Sequence, residues 1–206
     1  WDVDTSGKEE GDGNGHGTTG GGATVYGLTS KGNTGSGYDS AFAQASYNGF
    51  DFTDTGAWYM VEGQTRPFLR SEYSTTVTNA HQLQLMALNL AASYTLANDI
   101  DMSELTNQSG MWRTKDTKDA SNSYGFVSVG DYYNPFTGSF DGAGHTISGL
   151  TINRPGTSNV GLFGACSGST GAIRSVGLVG VNITGDYIVG GLVGRSGEVL
   201  GHGVHR

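Results

Sequence analysis

The residues able to do chemistry are few and scattered. His145 follows Asp141 by four positions in Asp141-Gly142-Ala143-Gly144-His145-Thr146, which invites an acid–base pair. Such a pair needs a positioned reacting partner, and no Ser or Cys nucleophile can be set beside it from sequence. A His flanked by Gly and Thr where a strand begins reads as a turn residue. Asp99, Asp101 and Glu104 resemble part of a cation site. Residues i and i+2 on a strand share a face, but hard cations take roughly six or more oxygens, and that set is incomplete here. Hydrogen-bonded turn roles are expected for the two aspartates instead. Cys166 is the single cysteine, which excludes an internal disulfide; in a Gly/Ser turn after an apolar strand it reads as a small buried hydrophobe. The run Gly11-Asp12-Gly13-Asn14-Gly15-His16-Gly17 holds one imperfect copy of a calcium-binding Gly-Gly-x-Gly-x-Asp phrase, and such sites need stacked copies. His16 has no Cys or His at zinc-ligand spacing. No catalytic, cofactor-binding or metal-binding residue is assigned from the sequence.

Wider classes narrow in the same way. Net charge is −8 with only 11 Lys plus Arg, so a phosphate-tracking surface is not expected and nucleic acid is a poor partner. No apolar run approaches the roughly 18 residues of a membrane span, so no membrane insertion is expected. A carbohydrate-active enzyme is the main catalytic alternative. A hydrolase needs two carboxylates facing each other across a groove at about 5 to 9.5 Å, yet the candidates fall in separate segments, Asp99 with Asp101 on one strand and Asp141 and Asp186 singly elsewhere. A lyase acting on an acidic sugar wants a basic residue, for which Arg174 and Arg195 are the candidates in the regular repeats. Phe42, Tyr47, Phe50, Phe52, Trp58, Tyr59, Phe68 and Tyr73 crowd one stretch near Asp51, Asp54 and Glu62. They suit either a sugar-stacking platform or, as preferred here, the core of a small hairpin subdomain.

The elements that must position these groups are strands. Gly161-Leu162-Phe163-Gly164, Gly177-Leu178-Val179-Gly180 and Gly191-Leu192-Val193-Gly194 are one recurring phrase at nearly even separations. Two steps make a period of about 30 residues, and Ile152 recurs as Ile183 just as Leu162 recurs as Leu192. Gly every few residues rules against helical repeats, while the intervening Ile, Val, Leu, Thr and Phe suit a pleated surface. With 36 Gly, 35% hydrophobic and 15% charged residues, the chain reads as all-β: a parallel β-helix, or solenoid, with one short helix and an aromatic-rich N-terminal subdomain. The glycines are expected where backbone passes close to backbone, not as a phosphate loop. The expected division is a Gly-rich linker or end of a preceding repeat over 1–37, an aromatic-rich β subdomain over 38–77, and the β-helix over 78–206. A lead-in helix is predicted over 78–93, capped by Thr78 or Asn79, with Leu83, Met86, Ala87 and Leu90 at i, i+3, i+4 and i+7. Tyr94 to Met102 reads as a strand, 103–124 as a surface excursion, and strands resume from Phe126.

Several phrases carry a resemblance. They are Trp58-Tyr59-Met60-Val61-Glu62-Gly63-Gln64-Thr65-Arg66-Pro67-Phe68-Leu69, His81-Gln82-Leu83-Gln84-Leu85-Met86, Tyr94 to Asp101, Phe136 to Ile147, and the Gly-Leu-x-Gly repeats over 149–196. Together they resemble the GLUG-repeat regions of large bacterial surface proteins, including filamentous-haemagglutinin-like adhesins, over residues 38–196. The resemblance implies a right-handed β-helix exported to the cell surface or beyond, a structural or adhesive segment without catalytic residues or cofactors. Trp1 to Gly7 resembles the phrase that closes one repeat block, so the chain reads as a fragment of a longer array. Expected partners are other copies or neighbouring repeats of the same protein and a host-surface or matrix glycan. A carbohydrate-active β-helix enzyme or a glycan-binding module is the alternative. Ser196 to Arg206 departs from the Asn/Ser-rich continuation usual after such repeats.

Overall fold

Short stretches that alternate polar and apolar residues set the architecture. In a computed structural model, which describes residues 42–106, 114, 124–167 and 173–197, strands dominate and helices are few. The fold is all-β. The aromatic stretch forms an antiparallel pair, β1 (Trp58–Tyr59) with β2 (Phe68–Leu69). Next come β3 (Thr76–Val77), α1 (Ala80–Leu85), β4 (Ser93–Leu96) and β5 (Ile100–Asp101). Then follow β6 (Ser139–Asp141), β7 (Thr146–Ser148), β8 (Thr151–Asn153) and β9 (Phe163–Cys166). The last are β10 (Ile173–Arg174), β11 (Gly177–Val179), β12 (Asn182–Thr184) and β13 (Val193–Ser196).

From β3 onward every pairing between these strands is parallel, and the register repeats. β10, β11, β12 and β13 lie beside β6, β7, β8 and β9 in that order, with Phe140 opposite Ile173, Ile147 opposite Leu178, Ile152 opposite Ile183 and Phe163 opposite Val193. The step along the chain from each residue to its partner is nearly the same in all four pairs, and it matches the period read from the sequence. One set earlier, Tyr94 lies opposite Phe140 and Ile100 opposite Ile147, a longer step because the chain from 103 to 138 intervenes. The expected match of Ile152 with Ile183 is thus a direct register pair. The three Gly-Leu-x-Gly phrases, by contrast, are not equivalent. Leu162 N donates to Gly191 O and Phe163 N to Leu192 O, at 3.1 and 2.9 Å, so the first phrase lies on the third. The middle phrase lies on Thr146-Ile147-Ser148.

Alternation puts one apolar residue per short strand inside: Phe140, Ile147 and Ile152 are buried while their strand neighbours are only half covered. With Tyr94, Phe136, Leu162 and Phe163 they form one continuous core. Phe136 and Phe140 pack on Phe163 with ring centroids 4.7 and 5.3 Å apart. Leu162 is fully buried, and Leu178 and Leu192 are half-buried against the same core. Tyr94 is the polar exception. Its hydroxyl donates to Asn89 O at 2.7 Å and meets the Tyr73 hydroxyl at 3.1 Å, which offsets its desolvation.

The helix is shorter than 78–93. Asn79 caps it, with Oδ1 accepting from Gln82 N at 2.9 Å, but it tightens into a 3-10 turn over Met86–Leu88 and stops. Residues beyond are claimed by pairing: Leu90 O accepts from Thr137 N and Gly138 N, and Ala92 O from Ser139 N. Non-local backbone bonds therefore override local helical spacing. The strand expected over Tyr94 to Met102 is broken into β4 and β5. The excursion over 103–124 and the Gly-rich 1–37 lie almost wholly outside the described residues.

Backbone proximity explains the glycines that end the first and third phrases, whereas Gly180, ending the middle one, sits at φ 63° with open space around it. A Cβ on Gly164 would stand 2.4 Å from Gly130 O, and one on Gly194 would stand 2.7 Å from Gly164 O. Gly164→Ala is expected to destabilise the fold by about 1–3 kcal/mol through backbone displacement. Gly156→Ala, where a Cβ meets nothing within 4 Å, is expected to stay within about 0.5 kcal/mol of the parent. Urea denaturation of the two variants checks this contrast.

Candidate ligand-binding cleft

The residues expected to do chemistry do not converge. Asp141 is held by Arg174, whose Nε and Nη2 donate to Oδ2 at 2.9 and 2.7 Å, and it accepts from Ala143 N at 2.9 Å. His145 turns to Asp99 instead, with Nδ1 3.3 Å from Oδ1, and Asp99 also accepts from Thr146 N at 2.8 Å. Asp101 accepts from Ser103 N at 2.9 Å, closing a turn, and Glu104 points to His81 at 3.5 Å. Asp99, Asp101 and Glu104 therefore serve three different partners. Cys166 is buried, and burial pushes its thiol up to about 11, so it stays protonated at neutral pH. Asp186 and Arg195 are exposed. Asp12 and His16 lie outside the described residues. Among the described residues no three His, Cys, Asp or Glu gather as a metal site.

The aromatic stretch is self-contained. Phe50 stacks on Trp58 at 4.2 Å, and Tyr47 packs on both Phe50 and Phe52. Phe42 and Met60 are buried beneath Tyr47 and Phe52. One face of the Trp58 ring is thus covered by a neighbour. The pair β1–β2 docks on α1 through Phe68, edge-on to His81 at 5.5 Å. His81 itself sits between Glu72, at 3.1 Å, and Glu104, a cluster that nothing in its sequence spacing announces.

Between that hairpin, the end of α1 and the turn after β8 lies a cleft of about 630 Å³. Its charged groups are Arg154 and Asp131. Arg154 reads in the sequence only as part of a turn, and as such it holds, since its O accepts from Thr157 N at 2.9 Å. Its side chain, half-buried, has a second role. Nε donates to Phe126 O at 3.4 Å, Nη2 to Gly125 O at 3.5 Å, and Nη1 to Gln64 Oε1. The guanidinium also lies over the Tyr124 ring at 5.4 Å. All these partners are neutral, and among the described residues no carboxylate pairs with Arg154. Burial lowers its pKa to about 10, opposed by nearby Tyr124, which leaves it charged at neutral pH. Gln84, fully buried at the cleft base, is spent on structure: its amide donates to Val127 O and accepts from Val127 N, both at 3.0 Å. Asn159, in the left-handed region at φ 59°, lines the cleft, but its Oδ1 is closed off from solvent and has no hydrogen-bond partner. Asp131 Oδ1 caps its own turn by accepting from Tyr133 N and Asn134 N, each at 2.8 Å.

Asp99 and Asp141 both titrate below the ordinary aspartate range, Asp99 chiefly through the Thr146 amide and Asp141 chiefly through Arg174. A carboxylate with a depressed folded-state pKa stabilises the fold above the ordinary value, and the effect is lost as pH falls through the folded value. Thermal stability should therefore decline once pH drops below about 4. Melting followed by circular dichroism should show a shallower acid decline for Asp141→Asn than for the parent.

No family model matches the chain, and no solved structure matches it significantly. Over 108 residues, 52% of the chain, it is 39% identical to halomucin of Haloquadratum walsbyi, and that match covers 1% of halomucin. Over 79 residues, 37% of the chain, it is 37% identical to a putative Gly-rich membrane protein of Evansella cellulosilytica, covering 9% of that protein. The chain therefore spans a small fraction of the length of both relatives. Among the described residues no helix is long and apolar enough to cross a membrane.

Proposed function

We propose that the chain is a stretch of right-handed parallel β-helix that serves as a structural and adhesive segment outside the cell, without catalysis of its own. The observation that carries this reading is the one-for-one parallel register of β6–β9 with β10–β13 at a nearly constant offset. Strands stacked in that order, with each set covering the apolar row of the last, have the logic of a solenoid. The right hand follows from the handedness of parallel β connections. The pairing of Asp99 and Asp141 with non-catalytic partners supports a structural role for both. The phrases that resemble GLUG-repeat surface proteins support an extracellular place, as do partial likenesses to a halomucin and to a Gly-rich membrane protein.

The last described set gives the reading its reach. Val160 pairs in parallel with Val189, yet Val160 is 1% exposed and Val189 44%. Ile152 and Leu162 are buried, whereas their successors Ile183 and Leu192 are half-open. Val179, Val181, Tyr187 and Ile188 are exposed on the same set. A stacked fold explains the gradient, because each set is completed by the next. The fitting occupant of that end is another repeat of the same kind, supplied in isolation by a second copy. Light scattering over roughly a hundredfold range of concentration tests this by mass action. Concentration-dependent association is expected for the parent and its loss for Val179→Lys combined with Val189→Lys, since edge lysines blunt strand addition. A parent chain that is monomeric throughout would contradict end-to-end association.

A further inference from the structure

Arg154 is a half-buried cation whose described partners are two backbone carbonyls, an amide oxygen and a ring face. A guanidinium carries five N–H donors, and three are engaged here. Burying a charge without a counter-ion is costly, so a cleft that keeps one open to its interior is suited to an anion. An acceptor stands on the same cleft: Asp131 is exposed, and its second oxygen makes no described bond. A simple inorganic anion would engage Arg154 and leave that oxygen unused. A doubly charged phosphate would also meet the Asp131 carboxylate and a chain of net charge −8.

We propose that the Arg154 cleft binds an acidic saccharide, the guanidinium taking the sugar carboxylate while Asp131 accepts from a ring hydroxyl. Tyr59 and Leu90 supply an apolar wall for the sugar's C–H face, and Gln64 keeps its NH₂ group free to donate. The volume of about 630 Å³ lies within the roughly 300–1,000 Å³ of small-ligand sites. This site stands on different observations from the stacking of strand sets, so either reading can fail alone.

The test is isothermal titration of the whole 206-residue chain with trigalacturonate, N-acetylneuraminic acid and neutral maltotriose. The first two separate a polysaccharide uronate from a glycoprotein-type sugar acid. At least one acid should bind, with maltotriose at least about tenfold weaker. Two variants then locate the site. Ser158→Trp, at an exposed position on the cleft rim, should weaken acid binding about tenfold or more by filling the mouth. Gln64→Glu places a carboxylate against Arg154; it should raise the melting temperature and also abolish acid binding, because the counter-ion is now internal. A purely structural Arg154 would give the first effect with no binding to lose. Absence of binding by both acids, equal binding of maltotriose, or acid binding that survives Gln64→Glu would each overturn the proposal.

Discussion

Parallel backbone pairing at a nearly constant offset is the constraint on which everything else rests. A short strand of this kind cannot bury its own apolar side chain or satisfy both of its edges. Set between partner strands on either side, as β6 is between β4 and β10 and β7 between β5 and β11, it does both. That arrangement requires backbones to pass at distances no Cβ tolerates, which is why Gly164 and Gly194 end the two stacked phrases. It also asks each inward position to be filled by something of the right size. Phe140 over Tyr94, and Ile147 over Ile100, are the result.

The polar chemistry of the chain is bent to the same end. Asp141 and Arg174 stand opposite each other on paired strands β6 and β10, and the contact of two guanidinium nitrogens with one carboxylate ties one set to the next. Asp99 reaches from the turn before β5 to the amide of Thr146 at the start of β7. These charges clamp the register of one strand set on the next. Arg154 is different: it has no acid to clamp among the described residues, and it faces a cleft built by segments remote in sequence, from Tyr59 to Asn159. Its position immediately after β8 is set by backbone pairing, since Arg154 N donates to Thr184 O at 2.9 Å.

The period was legible because it is written in residue types: Ile152 and Ile183, or Leu162 and Leu192, occupy the same inward slot. The middle Gly-Leu-x-Gly phrase was misleading, because a short word can recur at two different places within one period. The helix was over-extended since Leu90 keeps the helical spacing while its carbonyl is taken by Thr137 and Gly138, a contact no local pattern encodes. Asp99 and Asp101 were legible as hydrogen-bonding residues, but the partners across the fold were not: His145 belongs with Asp99, and Asp141 with Arg174. Arg154 escaped notice because Arg-Pro-Gly-Thr-Ser-Asn announces a turn, and the cleft it faces is made by tertiary contacts alone.

Register is the most direct point at which to test the account. Thr151 and Asn182 are partners on β8 and β12, and paired backbones bring Cα atoms within disulfide range. With Cys166 replaced by Ser, the double variant Thr151→Cys, Asn182→Cys should cross-link readily within one chain under mild oxidation. A control pairing Thr151→Cys with Thr184→Cys, two positions out of step on the same strand, should not. Equal cross-linking of the two, or faster cross-linking of the control, would contradict the stacked register.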